Sequence, residues 1–71
     1  MTSIRNGTAV RWTWGSAIAT GKVVERFERT VIRTLKGTKV TKHGSKEVPA
    51  YLIAQEDGDR VLKLASEIHR A

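Results

Sequence analysis

The clearest pattern along the chain is the alternation of apolar and polar residues over positions 10–14. A period of two places Val10, Trp12 and Trp14 on one face of a strand, which we predict over residues 8–14. The glycine and serine that follow indicate a tight turn. This first strand therefore carries two of the largest side chains of the chain on one surface, either as core or as part of a binding site.

Residues 17–28 predict a second, longer strand. One phase of its alternation comprises Ala17, Ala19, Gly21, Val23 and Phe27. We therefore expect Phe27 to lie on the same face as Val23. Gly21, inside the pattern, predicts the bend or bulge at which a small barrel turns its corner.

The rest of the chain alternates short apolar runs with turn signals. We predict strands over residues 31–35, 39–42, 50–54 and 60–64, and a loop or single helical turn over residues 43–49. Asp57-Gly58 is a strong hairpin signal before the last of these strands. Residues 61–68 also show helical spacing, so a C-terminal helix is the alternative to a strand that ends near Leu64 and a short helical turn over residues 65–69.

About five short strands with closely spaced turns predict an all-β fold, a small SH3-like barrel with a short helical turn near the C-terminus. The 71 residues form one domain, residues 1–71, and we expect residues 1–5 to be frayed. So small a core makes a homo-oligomer plausible. The chain has no cysteine, no signal-peptide pattern and no apolar run long enough for a membrane span, so we expect a cytoplasmic protein with no membrane partner.

Thirteen basic and seven acidic side chains give a net charge of +6. A basic surface attracts nucleic acid, and this is one candidate partner. The basic residues that flank the predicted sheet are the possible phosphate contacts: Arg11, Lys22, Arg26, Arg33 and Lys42. Solvated surface charge, usual in small domains, is the alternative interpretation.

The aromatic side chains are the other candidates for a site. Trp12, Trp14, Phe27 and Tyr51 come from three predicted strands and are the candidate ligand-binding residues, since aromatic clusters hold cations or stack bases. Use as core is the alternative interpretation, because so small a domain needs its large apolar side chains. Of the two tryptophans, Trp14, beside the predicted turn, is the better placed for a site.

No catalytic constellation emerges from the sequence, and we expect no enzyme, cofactor or metal site. The histidines at positions 43 and 69 are far apart, whereas a zinc site needs three or four ligands in tetrahedral geometry. No serine has a recognisable base and orienting acid nearby. The composition therefore favours a non-enzymatic module that binds a peptide or protein, with nucleic acid as the alternative partner.

Five short blocks of the chain, taken in their order, resemble the sequence pattern of a known family. They are GTAVRW (7–12), GKVVE (21–25), LKG (35–37), VPAYLI (48–53) and DGDRVLK (57–63). In this order they resemble the bacterial hypervirulence-associated protein Tudor-domain family over about residues 5–70. The resemblance implies a Tudor-like barrel and a bacterial source, and it transfers no catalytic residues. Val48 departs from the family pattern, which often has an acidic residue before the proline.

Overall fold

The computed structural model describes residues 4–71 and contains, within them, seven β-strands and one turn of 3-10 helix. The strands are β1 (Ala9–Trp14), β2 (Ala17–Phe27), β3 (Thr30–Leu35), β4 (Thr38–His43), β5 (Ala50–Ala54), β6 (Arg60–Leu64) and β7 (His69–Arg70). The 3-10 turn, Ala65–Glu67, lies between β6 and β7. The all-β prediction is confirmed.

The strands form one five-stranded sheet and one separate two-stranded ribbon. The sheet has the order β6-β5-β2-β1-β7, and all its neighbours are antiparallel. After the 3-10 turn the chain returns to pair β7 with the start of β1, which gives the SH3-like topology that the sequence predicts. The β3–β4 ribbon is inserted between β2 and β5, so it is an addition to the five-stranded barrel.

The core consists of two clusters of buried side chains. The larger cluster contains Val10, Trp12, Val23, Tyr51, Ile53 and Ile68. The second lies beneath the ribbon and contains Phe27, Val31, Ala50, Leu52 and Leu62. Strand β5 contributes to both clusters from its two faces, because successive side chains of a strand point in opposite directions. Its continuous apolar run is therefore the signature of a strand buried on both sides.

A bulge in β2 decides which cluster Phe27 joins. Val23 pairs with Ile53 and Glu25 with Leu52, so the residue between them is extra and reverses the alternation. Val23 thus packs in the larger cluster and Phe27 in the cluster beneath the ribbon. The prediction that Val23 and Phe27 share a face is wrong, since it assumed an unbroken period of two.

Gly21 serves a different purpose from the predicted bulge. A Cβ atom at this position would lie 2.6 Å from the Ala54 carbonyl oxygen and 2.7 Å from Ile53 Cγ2. Only a residue without a side chain permits this approach of β5 to β2. The corner of the barrel therefore needs both a glycine at position 21 and the bulge that follows it.

The chain termini differ in part from the expectations. A strand that ends at Leu64 and a helical turn after it are present, as predicted, and the alternative C-terminal helix does not form. The turn is shorter than expected and ends at Glu67, because His69 and Arg70 pair as a strand with Arg11 and Val10. The expectation of a frayed start falls partly on residues 1–3, which lie outside the described residues. Of the rest of that segment, Ile4 packs against the larger cluster.

Candidate ligand-binding groove

An open groove of about 560 Å³ lies where three hairpins of the fold approach one another. The tip of the β1–β2 hairpin provides Trp12, Trp14 and Ile18, and the ribbon provides Leu35 and Val40. The groove is completed by the β5–β6 loop, through Gln55, Asp57 and Asp59, and by residues 60–63 of β6. The groove therefore has an apolar lining supplied by separate hairpins, which is the usual composition of a ligand site.

Two large apolar side chains at this groove are open to solvent. Trp14 is 70% exposed and Ile18 is 65% exposed. They lie near the β1–β2 turn, where Trp14 pairs with Ala17 and Ile18 with Thr13. Gly15 occupies the first turn position with φ of 60°, which glycine adopts without steric cost. The tight turn thus places an exposed tryptophan and an exposed isoleucine near the tip of the hairpin.

An ion pair connects two of the hairpins at the groove. Lys36 Nζ lies 2.6 Å from Asp59 Oδ2, and both residues line the groove. The hydrogen bond from Lys36 lowers the pKa of Asp59, and the same bond raises the pKa of Lys36. Lys36 itself has φ of 52° and is followed by Gly37 at 76°, as a two-residue type I′ hairpin turn requires. The turn geometry therefore positions the cation toward the β5–β6 loop.

A second ion pair lies at the far end of β6. Lys42 Nζ donates to Glu67 Oε1 at 3.0 Å, and the backbone N–H of Leu64 donates to the same oxygen at 2.8 Å. Burial acts to raise the pKa of Glu67, but these two hydrogen bonds outweigh it and leave the pKa below its ordinary value. Glu67 thus ties the 3-10 turn both to the ribbon and to β6.

The four aromatic candidates do not form one site. Trp12, Phe27 and Tyr51 are each at most 4% exposed and belong to the core, with Phe27 in a different cluster from the other two. The fold therefore uses three of the four candidates as packing, which is the alternative interpretation that the sequence left open. Trp14 is the exposed member of the set.

Phe27 is in addition covered by cations of the domain itself. The guanidinium carbons of Arg29 and Arg33 lie 5.3 and 5.0 Å from the centre of its ring. At this separation a cation is attracted to the face of the ring. The ring is therefore already in contact with two positive charges from its own chain.

The five basic candidates do not lie on one face. In β2 the bulge places Lys22 and Arg26 on opposite faces, because Lys22 pairs with Ala54 and Arg26 with Tyr51. Arg33 and Lys42 belong to the inner face of the ribbon. Arg11 lies on the outer face of β1, diagonal to Lys22. The net charge of the chain is therefore spread over several surfaces.

Three of these basic side chains have partners within the domain. Arg26 forms an ion pair with Glu28, and hydrogen bonds to Glu28 and then Tyr51 raise its pKa. Arg33 covers the ring of Phe27, and Lys42 binds Glu67. Arg11 and Lys22 are the remaining pair, and both are exposed.

Sequence reasoning missed several groove residues. Ile18 had a signal, because it is an apolar residue on a face of the β1–β2 hairpin that is otherwise polar. Thr13 pairs with it across the hairpin, and Thr20 is the next residue of the same face along β2. Lys36 and Asp59 had none, because they are far apart in sequence and only the approach of two hairpins brings them together. Long-range geometry of this kind leaves no local pattern.

Two further observations limit the chemistry of the described region. Within residues 4–71 no three histidine or carboxylate side chains come together as the ligands of a metal ion would. No helix in the part of the chain that the structure describes is long and apolar enough to cross a membrane.

A small SH3-like barrel with an apolar groove at one end is typical of a binding module rather than of an enzyme. The chain matches the family model described as "Hypervirulence associated proteins TUDOR domain" over residues 7–68, and it belongs to this family. The resemblance noted from five sequence blocks is thereby confirmed. No curated protein and no solved structure gives a match to the chain.

Proposed function

We propose that this domain is a non-enzymatic interaction module that binds a short peptide segment of another protein in the groove beside Trp14. The observation that supports the proposal is the position of Trp14, which is 70% exposed near the tip of the β1–β2 hairpin and lines the apolar groove. Tryptophan is enriched among the residues that contribute most to binding at protein interfaces. A partner side chain that covers Trp14 would remove the largest exposed apolar surface of the hairpin from water.

Nucleic acid is the alternative ligand, since the net charge is +6. The distribution of the five basic candidates favours the peptide. Arg26, Arg33 and Lys42 already have partners within the domain, and phosphate binding would compete with those contacts. Arg11 and Lys22 alone provide two positive charges on the outer face of β1 and β2, away from the apolar lining of the groove.

The experiment that tests the proposal is selection of binders from a library of displayed random peptides, followed by calorimetry with the synthetic peptides selected. Trp14→Ala is compared with Ile32→Ala, because Ile32 is also an exposed apolar residue, at 48%, but lies on the outer face of the ribbon. We expect Trp14→Ala to weaken binding by roughly tenfold or more, the effect of losing an interface hot spot, and Ile32→Ala to have little effect.

Two results would overturn the proposal. One is a selection that yields no peptide whose binding depends on Trp14. The other is tight binding of duplex or single-stranded DNA or RNA that weakens linearly in log affinity against log salt, and is abolished by the double substitution Arg11→Ala and Lys22→Ala but unaffected by Trp14→Ala. The second result would assign the domain to nucleic-acid binding instead.

A further inference from the structure

One charged cluster of the groove lies where the β3–β4 turn meets the β5–β6 loop. Lys36 binds Asp59, and the carboxylate of Asp57 accepts a hydrogen bond from the Asp59 N–H at 2.9 Å. All three residues line the groove. Asp59 raises the pKa of Lys36 most, and the charge of Asp57 raises it further, so Asp57 lies within electrostatic reach of the same cation. Since two carboxylates face one cation, this cluster has a negative charge in excess.

A second charged cluster lies at the far end of β6. Lys42 and Lys63 line the groove there, and Lys42 binds Glu67. Burial acts to raise the pKa of Glu67, hydrogen bonds from Leu64 and Lys42 lower it, and the charge of Lys63 lowers it further. Since two cations face one carboxylate, this cluster has a positive charge in excess.

The two clusters are separated along β6. Asp57 lies in the loop before the strand begins at Arg60, and Lys63 is the fourth residue of the strand. Three residues of a strand advance about 10 Å, so the two excess charges are about 10 Å or more apart. Asp57 is exposed and Lys63 is half-buried, and both line the same groove as the exposed Trp14. The groove therefore has a negative end and a positive end.

Arg60 is the remaining ionisable residue of the groove lining. It pairs with Ala54, as Lys22 does from the other side, so the side chains of these three residues share one face of the sheet. Lys63 pairs with Tyr51 and lies on the opposite face. Arg60 forms no ion pair with Asp57 or with another described residue. Its charge therefore lies toward Lys22 and leaves the excess charge of the loop cluster without a direct partner.

We propose that the groove selects peptides with opposite charges on the two sides of an apolar residue, a lysine or arginine that lies near Asp57 and a carboxylate that lies near Lys63. This inference rests on the proposed function and adds to it the charge pattern of the ligand. An extended chain advances about 3.3 Å per residue, so the two charges of the peptide are about three to five residues apart. Complementary charges favour the correct partner, and a peptide of uniform charge is repelled at one end of the groove.

The test uses the peptides selected from the displayed library and measures their affinity by calorimetry. Asp57→Asn removes the charge but keeps the acceptor for the Asp59 N–H, and asparagine before glycine suits the same tight turn. Glu56→Gln makes the same change of charge at a neighbouring exposed residue outside the groove lining. Lys63→Gln is compared in the same way with Lys39→Gln, since Lys39 is exposed and also lies outside the lining.

We expect the peptides that depend on Trp14 to contain a cation and a carboxylate about three to five residues apart. Asp57→Asn and Lys63→Gln each weaken their binding by roughly threefold to tenfold, whereas Glu56→Gln and Lys39→Gln weaken it by less than about twofold. Replacing the cation of the peptide with glutamine abolishes the effect of Asp57→Asn, because the variant then has no contact left to lose. Replacing the carboxylate of the peptide with glutamine abolishes the effect of Lys63→Gln in the same way.

Three results would overturn the inference and leave the proposed function in place. The first is a set of Trp14-dependent peptides without this pair of charges. The second is an effect of Asp57→Asn or Lys63→Gln that stays the same when the matching charge of the peptide is removed. The third is an equal loss of affinity in the Glu56→Gln and Lys39→Gln controls, which would indicate a general effect of net charge. If no selected peptide depends on Trp14, the inference and the proposed function both fail.

Discussion

Trp12 and Trp14 lie on the same face of β1, yet Trp12 is 3% exposed and Trp14 is 70% exposed. Trp12 packs in the larger core cluster with Val10 and Ile53. Trp14 is two residues further along β1, beside the turn, where the hairpin extends beyond the core. One regular pattern thus supplies both a core residue and a surface residue, and the end of the core determines which is which.

The first prediction concerns the stability of the two tryptophan variants. Trp12→Ala removes a large buried side chain, and we expect it to lower the free energy of unfolding by about 3–5 kcal/mol, close to the whole stability of a domain of this size. Trp14→Ala alters a surface residue, and we expect a change within about 0.5 kcal/mol. Urea unfolding monitored by circular dichroism measures both, and equal destabilisation by the two variants would contradict the assignment of Trp14 to the surface.

The second prediction concerns the bulge in β2. Deletion of Val24 would restore the unbroken alternation and move Phe27 to the opposite face of the strand, since a shift of one residue reverses every following side chain. We expect this deletion to prevent folding. Val24→Ala is the matched control, because it keeps the length of the strand and shortens a side chain that is 38% exposed. A folded deletion variant with native thermal stability would show that the bulge is dispensable.

The third prediction concerns Gly21. An alanine Cβ would lie 2.6 Å from the backbone oxygen of Ala54, which cannot move away without shifting β5. We expect Gly21→Ala to lower the free energy of unfolding by about 1–3 kcal/mol, the range for overpacking. Thr20→Ala, at an exposed neighbouring position, serves as the control and should change stability little. A Gly21→Ala protein as stable as the control would mean that the strands accommodate a methyl group here.

The sequence predicts the features of this fold that depend on interactions between neighbouring residues, and it misses those that depend on contacts between distant parts of the chain. Alternation over residues 10–14 and the Asp57-Gly58 turn are local signals, and the strands they predict are present. The bulge at Val24 has no local signal, because it is required only by the pairing of Glu25 with Leu52. The same holds for the groove, whose Lys36–Asp59 contact joins residues from two hairpins.

The candidate site shows this limit most clearly. The apolar run of β5 indicates a strand buried on both sides, but the cluster that each of its residues joins can be recognised only when the ribbon is in place. Tyr51 and Leu52, adjacent in sequence, belong to different clusters, and neither reaches solvent. Trp14 is exposed because of where the core ends, which depends on the packing of the whole domain.

The last prediction concerns pH and Glu67. Hydrogen bonds from Leu64 N–H and Lys42 lower its pKa in the folded state, from an ordinary value near 4.5. The unfolded state therefore binds the proton more readily, and the stabilisation by Glu67 is present above about pH 4.5 and decreases as the pH falls through the folded pKa. We expect Glu67→Gln, which keeps an acceptor for Leu64 but loses the charge, to be less stable at neutral pH and to lose less stability on acidification. The measurement is the free energy of unfolding in urea from about pH 7 to about pH 3, the range in which carboxylates protonate. Glu56→Gln makes the same change in net charge at an exposed carboxylate with no ion pair among the described residues, so a steeper acid dependence in Glu67→Gln than in this control would contradict the role assigned to Glu67.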